Sequence, residues 1–302
     1  MADDNAQAFQ IGDVEVRRVV EWQAPFAPAL DLVPGLGAEV WHDNREALAP
    51  DHWDPGTDHA VVALQTWVLR SGGRTVLVDT GVGHGRERPG NPAFHRQQGE
   101  GLPARLAARA GVRPQDVDVV VNTHIHGDHV GWNTLDADGA WVPTFPDATY
   151  LLPAPDDHHF GPDGEYGGGL RPDDRFTYED SIAPVHKSGQ AVLWDGEYRI
   201  DENLTLEAAP GHTPGSSVLR VTSRGEHAVF VGDLLHSPVQ ILHPGHSSCF
   251  CLAPAQAAAS RQRVLERAVE EGELVVPAHF GGSGVVEIRR HGPAYAFAHW
   301  TP

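Results

Sequence analysis

The sequence predicts an α/β fold, and three kinds of observation support this prediction. Short apolar runs typical of strands recur along the chain, segments with helical apolar spacing lie among them at 103–110 and 253–271, and metal-binding residue types follow several of the runs. An order of strand, helix and strand is typical of a layered α/β arrangement. No low-complexity linker divides the 302 residues, which suffice for one large domain or two small ones.

Composition limits the partners and the compartment that we expect. The formal net charge is −19, which disfavours nucleic acid and anionic membranes as partners. No apolar run approaches the ~20 residues of a membrane helix, and the acidic start at Met1 does not match a secretory signal. Cys249 and Cys251 are expected to be buried or reduced thiols. We therefore predict a cytoplasmic protein that acts on a small molecule, with the question of a homodimer left open.

The N-terminal residues are predicted to form a hairpin followed by a long loop. Alternating apolar residues over 9–22, with Gly12 and Asp13 between them, predict the hairpin. Five prolines between residues 23 and 59 predict irregular structure. His42, His52 and His59 lie in this loop without the spacing of a ligand set, so we expect them at the surface or at the rim of a pocket.

Two paired strands are expected next, over 60–69 and 75–79, joined through Gly72 and Gly73. The second ends at Asp79, which from its position alone is as readily a turn former as a chemical group. The glycines that follow lack the order of a phosphate-binding loop. A short helix at 103–110, stopped by Gly111, then leads to a buried strand at 117–121.

The densest set of candidate ligands comes directly after that strand, in the run Thr123-His124-Ile125-His126-Gly127-Asp128-His129. Alternation along an extended chain places His124, His126 and Asp128 on one side. A turn at Gly127 would bring His129 towards the same cavity. Imidazole and carboxylate ligands suit a cation such as zinc, so the run predicts a metal site.

Further candidate ligands come later in the chain, each just after a predicted strand. His212 follows the strand at 204–208, and Asp233 follows the strand pair at 217–221 and 228–231. His279 follows a strand at 274–277, which comes after the helix at 253–271. Another strand, at 148–153, precedes a polar segment over 155–174 that we expect to be a solvated loop.

These residues, in this order, resemble the metallo-β-lactamase superfamily. Its H-x-H-x-D-H motif, following His, bridging Asp and last His recur at 124–129, His212, Asp233 and His279, and the resemblance runs from about Ala60 to Phe280. It implies an αββα sandwich, in which two mixed β-sheets pack face to face and are flanked by helices, with metals at one edge. It also implies one such domain over residues 1–302, with residues 1–59 packed on it as a hairpin and loop extension.

The resemblance further implies a dinuclear site for two divalent ions, which we expect to be Zn²⁺. The first ion would bind His124, His126 and His212. The second would bind Asp128, His129 and His279, and Asp233 would bridge the two. Asp79 stands in the strand-end D-T-G pattern of the superfamily and would orient a ligand histidine without binding the metal itself.

The predicted chemistry is hydrolysis by a hydroxide that bridges the two metals, because two cations roughly 3.5 to 4 Å apart make water nucleophilic at neutral pH. We predict a lactone or a small apolar ester as the substrate, with phosphotriesters as promiscuous ones, and Asp128 and Asp233 as catalytic residues. The segment from Val231 to Gln240 looks similar to the methyl parathion hydrolase and lactonase-like branch. Lactonases of acyl-homoserine lactones often carry Tyr where this chain has His236, which we expect to contact the substrate or leaving group, or else to be structural.

Other functions stay open from the sequence. A thioesterase or glyoxalase II-like hydrolase would use the same ions. A non-catalytic metal- or ligand-binding module would hold them without turnover, and a mononuclear iron dioxygenase would hold one iron. Zinc β-lactamases commonly carry Cys at the place of Asp233, which disfavours β-lactam hydrolysis, and the charge of −19 disfavours the RNA-processing members.

Overall fold

The computed structural model describes residues 8–169, 171–292 and 294–301. Short 3₁₀ turns occur at Pro114–Asp116 and Gly131–Asn133. The strands and helices of the first half are β1 Ala8–Ile11, β2 Val14–Pro28, α1 Ala29–Leu32, α2 Ala38–Asp43, α3 Arg45–Leu48, β3 Trp53–Asp54, β4 His59–Ser71, β5 Arg74–Val78, α4 Leu102–Ala110, β6 Val119–Val121, β7 Thr134–Ala137, β8 Ala140–Pro143 and β9 Thr149–Pro153.

The second half begins with a helical segment and continues with a second run of strands. A 3₁₀ turn at Pro162–Gly164 and a π-helical turn at Tyr178–Ile182 lie within the helical segment. The strands and helices are α5 Ala154–Phe160, α6 Glu165–Gly168, α7 Pro172–Thr177, α8 Ala183–Ser188, β10 Ala191–Trp194, β11 Glu197–Arg199, β12 Leu204–Ala208, β13 Ser217–Ser223, β14 Glu226–Gly232, α9 Val239–Leu242, α10 Pro254–Glu271, β15 Leu274–Pro277, β16 Val286–His291 and β17 Ala294–His299.

Two mixed sheets carry the fold. The first has the order β1-β2-β4-β5-β6-β9-β10, with β3 paired to β4, and the second runs from β11 to β17 in sequence order. Parallel pairing joins β5, β6, β9 and β10 in the first sheet, and β14 with β15 in the second. The remaining pairs within the two sheets are antiparallel. Strands β7 and β8 form a separate hairpin.

Side chains on alternate positions of the strands build separate core layers. On β5, Val76 packs between the two sheets, whereas Leu77 packs on the outer face with Leu106 of α4. On β14, Phe230 joins the core between the sheets, and Val229 packs on the opposite face with residues of α10. Apolar residues on both faces of a strand are expected where helices cover the outer faces of a sheet. The αββα sandwich is therefore confirmed.

Strand direction explains why the candidate ligands meet. Strands β5 and β6 are parallel, and β14 is parallel to β15, so the carboxyl ends of each pair lie at one edge of its sheet. Strand β12 is antiparallel to β13, which is antiparallel to β14, so β12 also ends at that edge of the second sheet. Because the candidate ligands follow β6, β12, β14 and β15, one edge of the sandwich collects them.

The structure corrects the prediction for residues 23–59. Strand β2 continues to Pro28 and pairs with β4 as far as His59, with register shifts that accommodate the irregular stretches. Three short helices follow, and their buried side chains, including Trp41 and Leu48, form a cluster with Trp53. The prolines misled the prediction, because pairing with β4 and burial of aromatic residues outweigh local propensity here.

The segment over 155–174 is also not the solvated loop that its polar composition indicates. It contains α5, α6 and the start of α7, and Phe160 is buried against Ile125 and Ile182. The edge strands β10, β11 and β17, the strand β16 next to β17, and the hairpin of β7 and β8 were not predicted. The predicted helices at 103–110 and 253–271 are confirmed, with Gly111 and Gly272 ending them in the left-handed conformation.

Among the described residues, none of the helices has the length and apolarity that crossing a membrane requires. The acidic N-terminal residues, on which the prediction about secretion depends, lie outside the described part of the chain.

Candidate metal centre

The loop after β6 carries four of the candidate ligands in one tight turn. The amide of His129 donates to the carbonyl of His126 at 3.0 Å, which closes the turn through Gly127. The His129 carbonyl in turn accepts hydrogen bonds from the amide of Thr80 at 2.7 Å and the side chain of Asn122 at 3.0 Å. These contacts hold the loop to the ends of β5 and β6.

One group of candidate ligands combines this loop with the segments after β12 and β14. Nδ1 of His126 lies 3.0 Å from Nε2 of His124 and 2.9 Å from Nε2 of His212. Oδ2 of Asp233 lies 3.1 Å from Nε2 of His212 and 3.7 Å from Nε2 of His124. We call these residues, His124, His126, His212 and Asp233, the first group.

A second group of candidate ligands lies on the other side of Asp233. Oδ1 of Asp233 lies 3.2 Å from Nε2 of His129 and 2.9 Å from Nε2 of His279. Oδ2 of Asp128 lies 3.6 Å from each of the same two nitrogens. Asp128, His129 and His279 form the second group, and the two oxygens of Asp233 point one to each group.

The donor set fits divalent cations. Nε2 of His129 and Oδ1 of Asp233 are buried and lie close to each other, but neither makes a hydrogen bond of acceptable geometry among the described residues. Buried polar atoms in that state are uncommon unless an ion or water satisfies them. Ligands at the usual Zn–N distance of about 2.0–2.1 Å lie roughly 3.3 Å apart in a tetrahedron, close to the spacing in the first group. All seven predicted ligands are thus brought together in an arrangement that suits metal.

Polar partners outside the two groups orient several of the imidazoles. Oδ2 of Asp79 lies 2.8 Å from Nδ1 of His129, and Oδ1 of Asp79 accepts the amide proton of Thr123 at 2.8 Å. Nδ1 of His279 lies 3.0 Å from the carbonyl oxygen of Ala63. A proton held on Nδ1 in this way leaves Nε2 free to bind metal. Asp79 therefore lies where the sequence predicts an orienting carboxylate.

Burial and mutual electrostatics shift the pKa values of these groups. Burial, assisted by neighbouring imidazoles, holds the pKa of His124 and of His126 well below 6.5. For His129, burial is the largest influence and opposes the charged form, but Asp233, Asp128 and Asp79 together raise its pKa well above 6.5. Burial likewise opposes the charge of Asp233, yet the imidazoles, led by His279, hold its pKa well below 3.8. Metal cations that replace protons on these imidazoles would neutralise the negative charge of the same carboxylates.

His236 lies beside the two groups. Its Nε2 is 3.2 Å from Oδ2 of Asp233, and its Nδ1 is buried without a hydrogen-bond partner among the described residues. The ring of Phe250 lies 5.8 Å away, centroid to centroid. Burial lowers the pKa of His236 to about 4, against the opposing effect of Asp233. His236 therefore lies close to the candidate ligands, and its predicted contact with the substrate or leaving group stays a prediction.

A cavity of about 380 Å³ opens over both groups. Its lining includes His126, Asp128, Asp233, His236 and His279, together with a set of apolar side chains: Phe26, Leu32, Val62, Leu64, Phe94 and Phe250. Charged side chains also line it: Arg88, Arg171, Asp173 and Asp174. Cavities that bind small molecules have this size and this mixture of apolar walls with a few convergent polar groups.

Several residues of the site were not predicted. The carboxylate of Asp156, on α5, accepts hydrogen bonds from residues next to His124, His126 and His212. Its signal in the sequence was a carboxylate three residues after the end of a strand, similar to the signal that pointed to Asp79 and Asp233. Phe250 and the thiol of Cys251, which lies 3.7 Å from Nδ1 of His212, had no such signal.

The three histidines of the 23–59 segment lie outside the two groups of candidate ligands, but one of them is more buried than the sequence predicts. The side chain of His42 is exposed and that of His59 is partly so. His52 is not at the surface or a pocket rim: its ring is buried between Phe280 and His299. Cys249 and Cys251 are free thiols, the first exposed and the second buried.

Comparison with solved structures shows the same fold in a hydrolase and in a lactonase. The hydrolase AbOPH of the beta lactamase superfamily matches with a TM-score of 0.79 and 21% identity, over 99% of both chains. AidC, described as a dizinc quorum-quenching lactonase, matches with a TM-score of 0.79 and 18% identity, also over 99% of both chains. At these identities the likeness supports the fold alone.

Comparison of sequences assigns the family. A ribonuclease of Thermus thermophilus is 31% identical over 181 residues, which are 55% of this chain and 34% of the ribonuclease. The matched part thus spans about a third of that relative's length. The model of the metallo-beta-lactamase superfamily matches residues 61–279, which include every predicted ligand. The chain therefore belongs to the metallo-beta-lactamase superfamily.

Proposed function

We propose that this protein is a dinuclear zinc hydrolase that cleaves a lactone or a small apolar ester. The observation that carries the proposal is the carboxylate of Asp233, whose two oxygens face two groups of ligands beneath a largely apolar cavity. When bound, two such ions lower the pKa of a coordinated water and polarise the carbonyl of the substrate. His124, His126 and His212 would hold the first ion, and Asp128, His129 and His279 the second.

The protein's own groups account for orientation and substrate binding. Asp79 and the carbonyl of Ala63 fix the rings of His129 and His279 with Nε2 turned towards Asp233. Apolar side chains such as Leu64, Phe94 and Phe250 would exclude water from the acyl part of the substrate. His236 lines the cavity beside Asp233, where its imidazole would reach the leaving group.

Known relatives support a lactone over RNA as the substrate class. AidC, which is described as a lactonase, shares the fold over 99% of its chain. The ribonuclease matches over only 34% of its length, and this chain carries a net charge of −19, which repels a polyanion. We therefore place lactones and aryl esters ahead of RNA, thioesters, phosphotriesters and β-lactams.

Elemental analysis and a substrate panel test this proposal. We expect two zinc ions per chain after reconstitution, and faster turnover of lactones and aryl esters than of thioesters, phosphotriesters, β-lactams or single-stranded RNA. Turnover of thioesters with no activity on any lactone or aryl ester would identify a thioesterase instead. Two bound ions with no turnover of any substrate would indicate a binding module, and one iron with thiol-dependent oxygen uptake would indicate a dioxygenase.

The variant Asp233→Asn provides the matching test of the centre. An amide offers one acceptor oxygen where the carboxylate offers two, so we expect loss of at least one ion and a fall in kcat/KM of about 10³-fold or more. Asp195→Asn makes the same chemical change at an exposed position and should leave metal content and rate unchanged. Wild-type rates in Asp233→Asn would contradict the bridging role.

A further inference from the structure

Asp156 is a buried carboxylate that contacts none of the candidate ligands directly. It lies near the start of α5 and is 0% exposed. Its Oδ2 accepts the amide proton of Ile125 at 2.9 Å and the hydroxyl proton of Thr213 at 2.8 Å. Its Oδ1 accepts the amide proton of Gly215. All the hydrogen bonds that Asp156 accepts through its side chain thus come from two loops.

Those two loops supply the three imidazoles of the first group. Ile125 lies between His124 and His126 in the chain, and Thr213 follows His212. The separations from Asp156 are 31 residues to Ile125 and 57 residues to Thr213, so this one carboxylate joins distant segments. No equivalent contact links Asp156 to Asp128, His129 or His279 among the described residues.

We propose that Asp156 is a positioning residue for the first of the two ions, and that its loss weakens that ion selectively. This inference depends on the proposed dinuclear centre, and it assigns a different supporting carboxylate to each of the two ions. Asp79 contacts His129 of the second group directly, whereas Asp156 sets the distance between the two loops of the first group.

The chemistry of the contact requires a carboxylate. Both oxygens of Asp156 accept hydrogen bonds. Replacement by Asn would therefore turn an amide NH₂ group towards at least one N–H or O–H donor. Space around it is also restricted: a Cβ atom at Gly215 would lie 2.8 Å from the backbone nitrogen of Asp156 and 2.9 Å from its Cγ. The Asn variant therefore loses at least one of the hydrogen bonds that join the two loops.

Zinc binding to Asp156→Asn, measured by calorimetry with a competing chelator, tests the inference. We expect one of the two ions to bind about 10- to 100-fold more weakly, which is the usual effect of losing a group that supports a metal ligand. The other ion should keep its affinity. Nitrogen-15 NMR of the histidines identifies the weakened ion, because His126 of the first group faces the centre through Nδ1 whereas His129 and His279 of the second group face it through Nε2.

Three further variants complete the design. Asp157→Asn alters the next residue of α5, whose carboxylate contacts Tyr178 at 3.1 Å and His186 at 2.7 Å, and should leave both ions unchanged. Thr213→Val removes one donor to Asp156 and should weaken the first ion less than Asp156→Asn does. Asp79→Asn should weaken the second ion, seen through the signal of His129. If Asp156→Asn fails to fold, Thr213→Val decides.

The outcomes separate this inference from the proposed function. Wild-type protein that binds no metal would overturn the proposed function. Wild-type protein with two ions, together with unchanged affinity for the first ion in Asp156→Asn and Thr213→Val, would overturn only the role of Asp156. Equal weakening of both ions in Asp156→Asn would also overturn it, because Asp156 contacts residues next to His124, His126 and His212 and none next to a ligand of the second group.

Discussion

At the scale of single residues, the surroundings of Asp233 determine the electrostatics of the centre. Five imidazoles lie within 3.7 Å of its carboxylate oxygens: those of His124, His129, His212, His236 and His279. Without metal, such a cluster must share protons, and the pKa of His212 is raised to about 9 by Asp233 despite the opposing effect of burial. Divalent cations would neutralise the charge of the Asp233 carboxylate in the same way, bound to the imidazole nitrogens in place of protons.

His236 is the residue whose role a substitution can settle. His236→Phe keeps a ring against Phe250 but removes both nitrogens, so we expect both ions to remain while kcat falls about 10²-fold through loss of a contact to the reacting group. Metal analysis and steady-state kinetics measure the two effects. Loss of an ion would instead make His236 a ligand, since it also lies near Asp233 and His279. Unchanged kcat would make it structural.

His52 predicts a pH dependence of stability away from the centre. Burial, followed by the nearby His299 and Arg18, lowers its pKa to about 3 from 6.5. The unfolded chain therefore binds a proton between these values that the folded chain does not, and His52 makes folding less favourable as pH falls below about 6.5. At pH 5 this contribution is about 2 kcal/mol.

The variant His52→Phe should remove that contribution, because the ring can still pack on Phe280 while it no longer titrates. Urea unfolding at pH 7.5 and pH 5, with chelator present, gives the free energies of unfolding. Between these pH values, we expect the variant to lose about 2 kcal/mol less than the wild type. Parallel losses in the two proteins would show that His52 is not held neutral in the folded state.

At the scale of elements, a buried ion pair anchors the helical segment that follows β9. Arg88 donates to both oxygens of Asp180, at 2.8 and 3.0 Å, and Arg86 donates to the backbone oxygen of Asp180 at 3.1 Å. Asp180 lies in the π-helical turn between α7 and α8, while both arginines lie in the glycine-rich stretch after β5. Since α7 lines the cavity through Thr177, this pair also holds a wall of the site.

Removal of the charge at Asp180 should destabilise the protein strongly. Asp180→Asn leaves the buried guanidinium of Arg88 without its counter-charge, and we expect a loss of about 3–5 kcal/mol in the free energy of unfolding. The neighbouring Glu179 forms an exposed pair with Arg175, so Glu179→Gln should change stability by about 1 kcal/mol or less. Equal, small effects of both changes on chemical denaturation would contradict the anchoring role.

At the scale of the whole molecule, the proposed ions would join the two sheets. The first group combines the loop after β6 of one sheet with segments after β12 and β14 of the other. The second group likewise combines the loop after β6 with the segments after β14 and β15. Bound ions would therefore stabilise the packing of the two sheets as well as the site.

Metal removal should accordingly lower the melting temperature. An ion present at 1,000 times its dissociation constant stabilises the folded state by about 4 kcal/mol, so chelation should lower the melting temperature by at least several degrees. Differential scanning calorimetry with and without chelator measures the shift. The melting temperature of Asp233→Asn should respond less to chelator. A wild-type melting temperature that chelator does not change would contradict metal binding at this edge.

The parts of the fold that sequence predicts are those with a strong local pattern. The apolar stripe of α10, its glycine stop, and the paired strands β4 and β5 depend on residues close together in the chain. The last two strands, β16 and β17, were missed because most of their residues are not fully buried, which weakens the alternating pattern. Tertiary pairing, as between β2 and β4, overrode the prolines.

By itself, the sequence determined an α/β class and the seven candidate ligands, because each ligand follows a recognisable strand or stands in the run at 123–129, and the resemblance to the superfamily added the αββα sandwich. Only the tertiary structure decided that Asp233 points one oxygen to each group, that Phe250 lines the cavity, and that Asp156 joins the two histidine loops. The physical reason is that partners of a buried carboxylate are chosen by the packing of segments tens of residues apart, which no local pattern records.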